Sequence, residues 1–229
     1  RTAGRYGRGL TFDGVNDRVT VASAGALNPG TEAFTVGVWV RASGTTLQRI
    51  VGKRAVCTGG TSFWNMQVLT SGVVAAELRD VADNYLGLVG SRVINDGQWH
   101  YVTMVRNNVT LQVYVDGLLD VSGTSAVPLN VTNSAQMEIG TLCNGFPFNG
   151  LLDEVRYYRG ALSPSQIDEA METGVGGGGT SVSALVPAYN FDAGSGATAA
   201  DQSGQGNTLA LTNTTWTTQG HTNGAVQFN

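Results

Sequence analysis

The sequence predicts an all-β chain: two antiparallel sheets packed face to face as a jelly-roll sandwich, with one short helix over residues 163–171. Three observations carry this. Short segments alternate apolar and polar residues with the period of a half-buried strand. The 229 residues include 32 glycines and only 13 % charged side chains, a composition of strands joined by tight turns. Turn signals such as Asp116–Gly117 recur between the alternating runs.

Taken in order, residues 10–12 enter a turn at 13–17 and leave it as an alternating run over 18–21. Residues 34–41 place Phe34, Val36, Val38 and Val40 on one face. Segments 50–53, 63–68 and 73–78 follow at hairpin spacing, and Asp80 to Asn84 reads as a hairpin turn. Segments 98–105 and 110–115 flank a turn at Asn107 and Asn108, and Asp116–Gly117 leads into the next strand. Segments 137–140 and 148–158 complete the set, and ten or more short strands at this spacing imply a sandwich. The helix has Ser163 as N-cap, Pro164 at its first position and Gln166 where a capping-box partner belongs.

After the helix the chain becomes glycine-rich, so residues 174–184 read as a flexible linker between a body, 1–173, and a tail, 185–229. The tail has strand-like runs at 185–191 and 209–212, and 45 residues are too few to hold a core alone. Residues 4–13 align without gaps on 220–229, with Gly4, Leu10, Phe12 and Asp13 matched by Gly220, Val226, Phe228 and Asn229. A repeat 216 positions apart is domain-sized, so the chain is expected to open inside one domain and close inside the next copy.

A net charge of −4, with no cluster of Lys and Arg, argues against nucleic acid. No apolar run approaches the ~20 residues of a membrane span. The chain begins without an initiator Met or signal peptide and reads as processed or cut from something longer. With only His100 and His221 beside two cysteines, zinc is excluded. Cys57 and Cys143 are either two buried thiols or a disulfide; the disulfide is expected, in a secreted or cell-surface protein. Sequons stand at Asn108, Asn130 and Asn213.

The blocks Gly9–Leu10–Thr11–Phe12–Asp13–Gly14 with Asp17, Phe34 to Val40, Asp96–Gly97–Gln98–Trp99–His100, Leu111 to Gly117, and Phe148 to Tyr158 through Ser163 closely resemble the laminin-G-like, concanavalin-A-like jelly-roll family. Residues 188–192 and 201–207 resemble that family's opening segment, here placed last. The resemblance implies a structural calcium held by Asp153 from the body and by Asp192, Asp201 and Asn207 from the tail, a mix of oxygens that calcium accepts. The same residues read equally as a solvated turn and as a salt-bridge partner of Arg156 or Arg159. Catalytic relatives carry paired carboxylates on one strand; here Glu77, Asp80 and Asp83 come nearest, within a turn, so no enzyme is expected. His100, beside Trp99, is expected to be packed and hydrogen-bonded rather than catalytic.

Two functions stay open. In the first, the chain is an extracellular structural or adhesive repeat that joins copies of itself head to tail into a filament. The tail residues Ala188, Tyr189, Phe191, Leu209, Leu211, Val226 and Phe228 would complete the next copy's sheets by donor-strand complementation. Self-docking of the tail is the rival. In the second, the chain is a carbohydrate-binding module of a secreted polysaccharide-degrading enzyme. Tyr85 in a turn, and Phe146 and Phe148 in the loop after Cys143, would then stack on sugar rings, although aromatics of a sandwich mostly fill its core.

Overall fold

The computed structural model describes residues 5, 10–22, 25–56, 61–175, 185–189, 196–212, 214–217 and 225–228, the last two stretches by backbone alone. Strands β1 (Leu10–Asp13), β2 (Arg18–Val21), β3 (Phe34–Ala42), β4 (Gln48–Arg54), β5 (Phe63–Val68), β6 (Val73–Arg79), β7 (Tyr85–Val93), β8 (His100–Asn107), β9 (Thr110–Val115), β10 (Leu118–Thr124), β11 (Met137–Ile139) and β12 (Asn149–Arg159) form the body. Helix α1 (Pro164–Glu172) follows, then β13 (Leu185–Tyr189), β14 (Thr198–Ala199), β15 (Leu209–Thr212), β16 (Thr214–Thr217) and β17 (Ala225–Phe228).

The first sheet runs β10-β9-β8-β3-β12-β1-β17-β16, and β13 pairs with β12 beside β1. The second runs β14-β15-β2-β11-β4-β5-β6-β7. Alternation works as the sequence indicates. Phe34, Val36, Val38 and Val40 face inward with Trp64, Met66 and Val68 from the opposite sheet, forming one continuous core. At its centre the Phe34 and Tyr157 rings stack with centroids 5.6 Å apart, and Trp64 tilts against both at 5.6 and 6.0 Å.

The capping box of α1 is formed as predicted: Ser163 Oγ accepts from Gln166 N, and Gln166 Oε1 accepts from Ser163 N at 2.9 Å. Ile167 and Ala170 of the helix pack on Trp39, Tyr101, Tyr114 and Tyr158, covering the outer face of the first sheet. The C-terminal end of α1 is clamped from below. Arg156 Nη1 donates to Ala170 O at 2.6 Å, and its Nη2 donates to Thr173 O and, at 2.6 Å, to Glu154 Oε2, which also accepts from Val175 N. The Arg156 and Glu154 side chains are buried, and their contacts to Thr173 and Val175 are partly so.

The tail docks on its own body. Val155 pairs with Tyr189 and Arg156 with Ala188 along β12, and Leu209 pairs with Val21 along β2. Pro187 sits at the register shift of β13, a strand with a ladder on one side only, where its missing N–H leaves no gap. Ala188, Tyr189 and Leu209 are buried and Leu211 packs against the core from its margin. In this single chain, the strands expected to complete another copy pair with edges of the body that carries them. Of the other residues expected there, Phe191 lies outside the described residues, and Val226 and Phe228 lie in β17. Leu10 pairs with Val226 in parallel, so the two copies of the repeated segment meet in the register of their sequence alignment. This is the single parallel pair among the described strands of a sandwich expected to be antiparallel.

Three groups contribute to the pH dependence of folding in acid and near neutrality. Burial pushes the Asp17 carboxyl up to about 6, against the hydrogen bond from Asp13 N at 2.7 Å. Burial works against the charge on His100, but Asp116 Oδ2 at 2.8 Å and Asp96 Oδ1 at 3.1 Å outweigh it and raise its pKa. A raised acid favours folding once protonated, so the Asp17 contribution is lost as pH rises toward about 6. A raised histidine contributes fully below its ordinary value near 6.5 and loses that contribution as pH rises through its folded value. Asp201 is depressed: burial opposes its charge, and hydrogen bonds from Ser203, Ala188 and Asn207 overcome that, so its contribution is lost in acid. The melting temperature should peak near about pH 4, fall as Asp17 ionises toward about pH 6 and fall again above about pH 6.5, and His100→Gln should flatten only that second fall.

Candidate functional site

The outer faces of the two sheets differ. Helix α1 covers the first, whereas among the described residues no helix or sheet covers the second. Because Trp64, Met66, Val74, Ala76, Leu78 and Leu88 point inward, their neighbours in the strands point out. Ladder pairing sets these in rows across β4, β5, β6 and β7. One row is Arg54, Phe63, Arg79 and Tyr85; the next is Gly52, Asn65, Glu77 and Gly87; a third holds Arg49, Gln67, Ala75 and Val89.

Hydrogen bonds knit this face together. Glu77 Oε2 accepts from Asn65 Nδ2 at 3.0 Å and from Arg49 Nη1 at 3.3 Å, while Glu77 Oε1 accepts from Tyr85 Oη at 2.8 Å. Arg49 also donates to Gln67 Oε1, and Arg79 pairs with Asp83. Burial and the bond to Glu77 raise the Tyr85 phenol to about 12, so it stays a donor. The Tyr85 ring lies across Gly87, where a Cβ would collide with its hydroxyl end. Arg54 stacks on Phe63 at 4.1 Å, and Arg49 lies 5.4 Å from the Phe146 ring.

Of the aromatics expected to meet sugar, Tyr85 is 53 % and Phe146 52 % exposed, and both border this face. Phe148 is a correction. It is fully buried, packed edge-to-face on Phe12 at 5.9 Å, and belongs to the core. Tyr85 opens β7 rather than standing in a turn. The residues missed from the sequence are Arg49, Arg54, Asn65, Gln67 and Arg79, while Glu77 was weighed only as half of a catalytic pair; the available signal was Asn65 and Gln67 alternating with the core residues of β5. Two grooves lie elsewhere, of about 360 Å³ beside Asn28, Glu32 and Arg159, and of about 300 Å³ beside Thr11, Arg41 and Asn149.

The residues expected to hold calcium are placed as follows. Asp153 is buried in β12, where its Oδ1 accepts from Glu154 N at 2.9 Å. Asp201 and Asn207 share one turn. Asp201 Oδ1 accepts from Ala188 N and Ser203 N at 3.0 and 2.8 Å, and its Oδ2 from Asn207 N and Nδ2 at 3.1 and 3.2 Å. Asp192 lies outside the described residues. Both Asp201 oxygens accept from N–H donors, and among the described residues no group of three or more His, Cys, Asp or Glu comes together. Arg156 pairs with Glu154, not Asp153, and Arg159 caps the carbonyls of Gly25 and Ala26. Cys143 is not a free thiol, and Cys57 lies outside the described residues.

A family model described as the concanavalin A-like lectin/glucanases superfamily, of laminin G type, matches residues 13–168. The chain belongs to this superfamily. No curated protein matches the chain. Among solved structures, a provisionally assigned carbohydrate-binding protein from Bacteroides ovatus superposes with a TM-score of 0.66 at 15 % identity, over 90 % of this chain and 59 % of that one. The CBM40 domain of Ruminococcus gnavus IT-sialidase, bound to α2,3-sialyllactose, gives 0.55 at 14 % identity, over 69 % of this chain and 95 % of that one. The binding domain of Paraclostridial Mosquitocidal Protein 1 gives 0.54 at 16 %, over 66 % and 39 %. The chain thus spans less than two thirds of the first and third of these, and at such identity the likeness is one of fold. Members and neighbours are of the binding and lectin type, although the superfamily also contains glucanases.

Proposed function

We propose that this superfamily member is a non-catalytic carbohydrate-binding domain that holds its ligand on the outer face of β4, β5, β6 and β7. The observation that carries this is the face itself: exposed Tyr85 and Phe146 border a hydrogen-bonded layer in which Asn65 and Gln67 are buried beneath half-buried Arg49, Glu77 and Arg79. Aromatic faces stack on the apolar side of a sugar ring, and fixed polar groups orient its hydroxyls. The neighbours from Bacteroides ovatus and Ruminococcus gnavus support the same reading. Catalysis has no support here. Asp80 caps its own turn through Ala82 N, Asn84 N and Asn84 Nδ2, Asp83 pairs with Arg79, and Glu77 is bound by Asn65 and Tyr85. Replacing Tyr85 or Phe146 by alanine should weaken glycan binding about 10-fold or more, measured by titration calorimetry against the best ligand of an array, with the fold unchanged. Full affinity in the double variant would remove this face from consideration.

The finer expectations are proposals of their own. We place the domain outside the cell, with a Cys57–Cys143 disulfide. In the chain-entropy model a loop of this length contributes about 4–5 kcal/mol, so reduction should lower the melting temperature, and two titratable thiols in unfolded, unreduced protein would refute the bond. A calcium ion joining Asp153 to Asp192, Asp201 and Asn207 is tested by chelation. An unchanged melting temperature means that the hydrogen bonds of Asp201 alone hold the turn. Head-to-tail assembly would require these tail strands to leave the body they cover.

A further inference from the structure

We propose that the ligand of this face is an acidic sugar, one whose ring carries a carboxylate or a sulfate, held by Arg49, Arg54 and Arg79. The inference rests on the carbohydrate reading above and adds the charge class of the ligand. The chain carries a net −4, yet this face gathers three arginines on β4 and β6, with Arg18 of β2 at its margin. Two of the three are ion-paired, Arg49 with Glu77 and Arg79 with Asp83, and Arg54 Nε donates to Val56 O at 2.8 Å, so these three cations meet two carboxylates; Glu138, further along, accepts from Cys143 N at 2.6 Å.

The three guanidinium groups crowd one another. Burial lowers the Arg54 pKa first, and the fields of Arg49 and Arg79 lower it further, with Glu77 offsetting only part. An incoming oxyanion relieves that repulsion, where a neutral sugar leaves it in place. Arg79 Nε is buried without a hydrogen-bond partner, so the layer has an unmet donor at its centre. Geometry points the same way. Arg54, Phe63, Arg79 and Tyr85 lie in register across four strands, and stacking on Phe63 fixes the plane of the Arg54 fork. A planar fork matches two oxygens of a carboxylate or sulfate at once. Tyr85 at the end of the row offers its ring to the sugar.

The test is an array of neutral, uronate-bearing, sialate-bearing and sulfate-bearing oligosaccharides, followed by calorimetry on the best acidic ligand and its neutral counterpart. The acidic ligand should bind at least about tenfold more tightly, the worth of one charge-assisted contact. That advantage should shrink several-fold between about 0.01 and 1 M salt, as the screening length falls from roughly 30 to 3 Å. It should also be lost in Arg79→Gln and Arg54→Gln. The carboxylate and sulfate arms decide which oxyanion is read. Melting curves check each variant, and if Arg79→Gln does not fold, Arg54→Gln carries the test. Equal affinity for neutral and acidic ligands, or an acidic preference that survives these substitutions, overturns the charge class and leaves carbohydrate binding standing. Silence across the whole array removes the carbohydrate reading, and this inference with it.

Discussion

Replacing Arg156 by alanine should destabilise the domain by about 3–5 kcal/mol, measured by urea denaturation, and should loosen α1 before the sheets. The guanidinium is buried and has four roles at once. It pairs with Glu154, it satisfies the carbonyls of Ala170 and Thr173 at the end of α1, and its stem lies in β12 beside β3 and β13. Burial opposes its charge, but the field of the Glu154 carboxylate and the hydrogen bond to it favour the charged form, and its pKa is raised. Alanine would leave the Glu154 carboxylate buried with its main counter-charge gone, and unpaired charge is what makes such a loss large. Cationic groups at a helix C-terminus also favour the helix dipole, which adds a smaller local effect on α1. Arg156→Met would keep the volume and separate packing from charge. Hydrogen exchange should show amides of α1 opening first, because its apolar anchors are few, chiefly Ile167 and Ala170. Loss of stability within the ±0.5 kcal/mol typical of surface changes would mean the clamp does not form in solution.

The clamp also shows where sequence reasoning stops. The acidic pair on β12 was visible, and Asp153 was the member singled out, yet Glu154 makes the ion pair. The reason is a bulge: Glu154 has φ of 53°, and the register with β3 shifts between Asp153 and Arg156, so alternation fails at that point. The regular strands were legible because their core faces are unbroken, as in β3, and α1 was legible from its cap. Strand β7 was not. Leu88 is its one buried residue, and it is held in place by the ladder to β6 and by Asp120 of β10, which accepts from Ser91 N at 3.0 Å. The binding face was hidden for a related reason. Its rows exist only through the registers of four strands, which no single segment encodes. Phe146 and Phe148, two apart, look alike in sequence; Phe146 lies in a loop at φ of 55°, exposed, whereas Phe148 turns into the core.

Ending the chain after Thr173 should leave the body unable to hold its fold, and adding a separate peptide of residues 185–229 should restore it. Val186, Tyr189, Ala199 and Leu209 are all buried in the central core, and β13 and β15 complete the exposed edges of β12 and β2. Each large apolar side chain removed from that core is worth roughly 1.5–3 kcal/mol, so the loss exceeds about 5 kcal/mol before backbone pairing is considered. That equals the lower end of a domain's total stability. The exposed strand edges would add a tendency to aggregate. Rescue by the peptide would show that the tail acts through its contacts rather than through its covalent link, which is the physical requirement for both self-docking and donation. The mass of the intact chain then separates the two. If the tail docks on its own body, light scattering should give a monomer whose mass does not grow with concentration. A soluble, fully folded body without the tail would contradict the packing described above. A concentration-dependent series of oligomers that the free peptide breaks up would mean that these same strands are exchanged between neighbours.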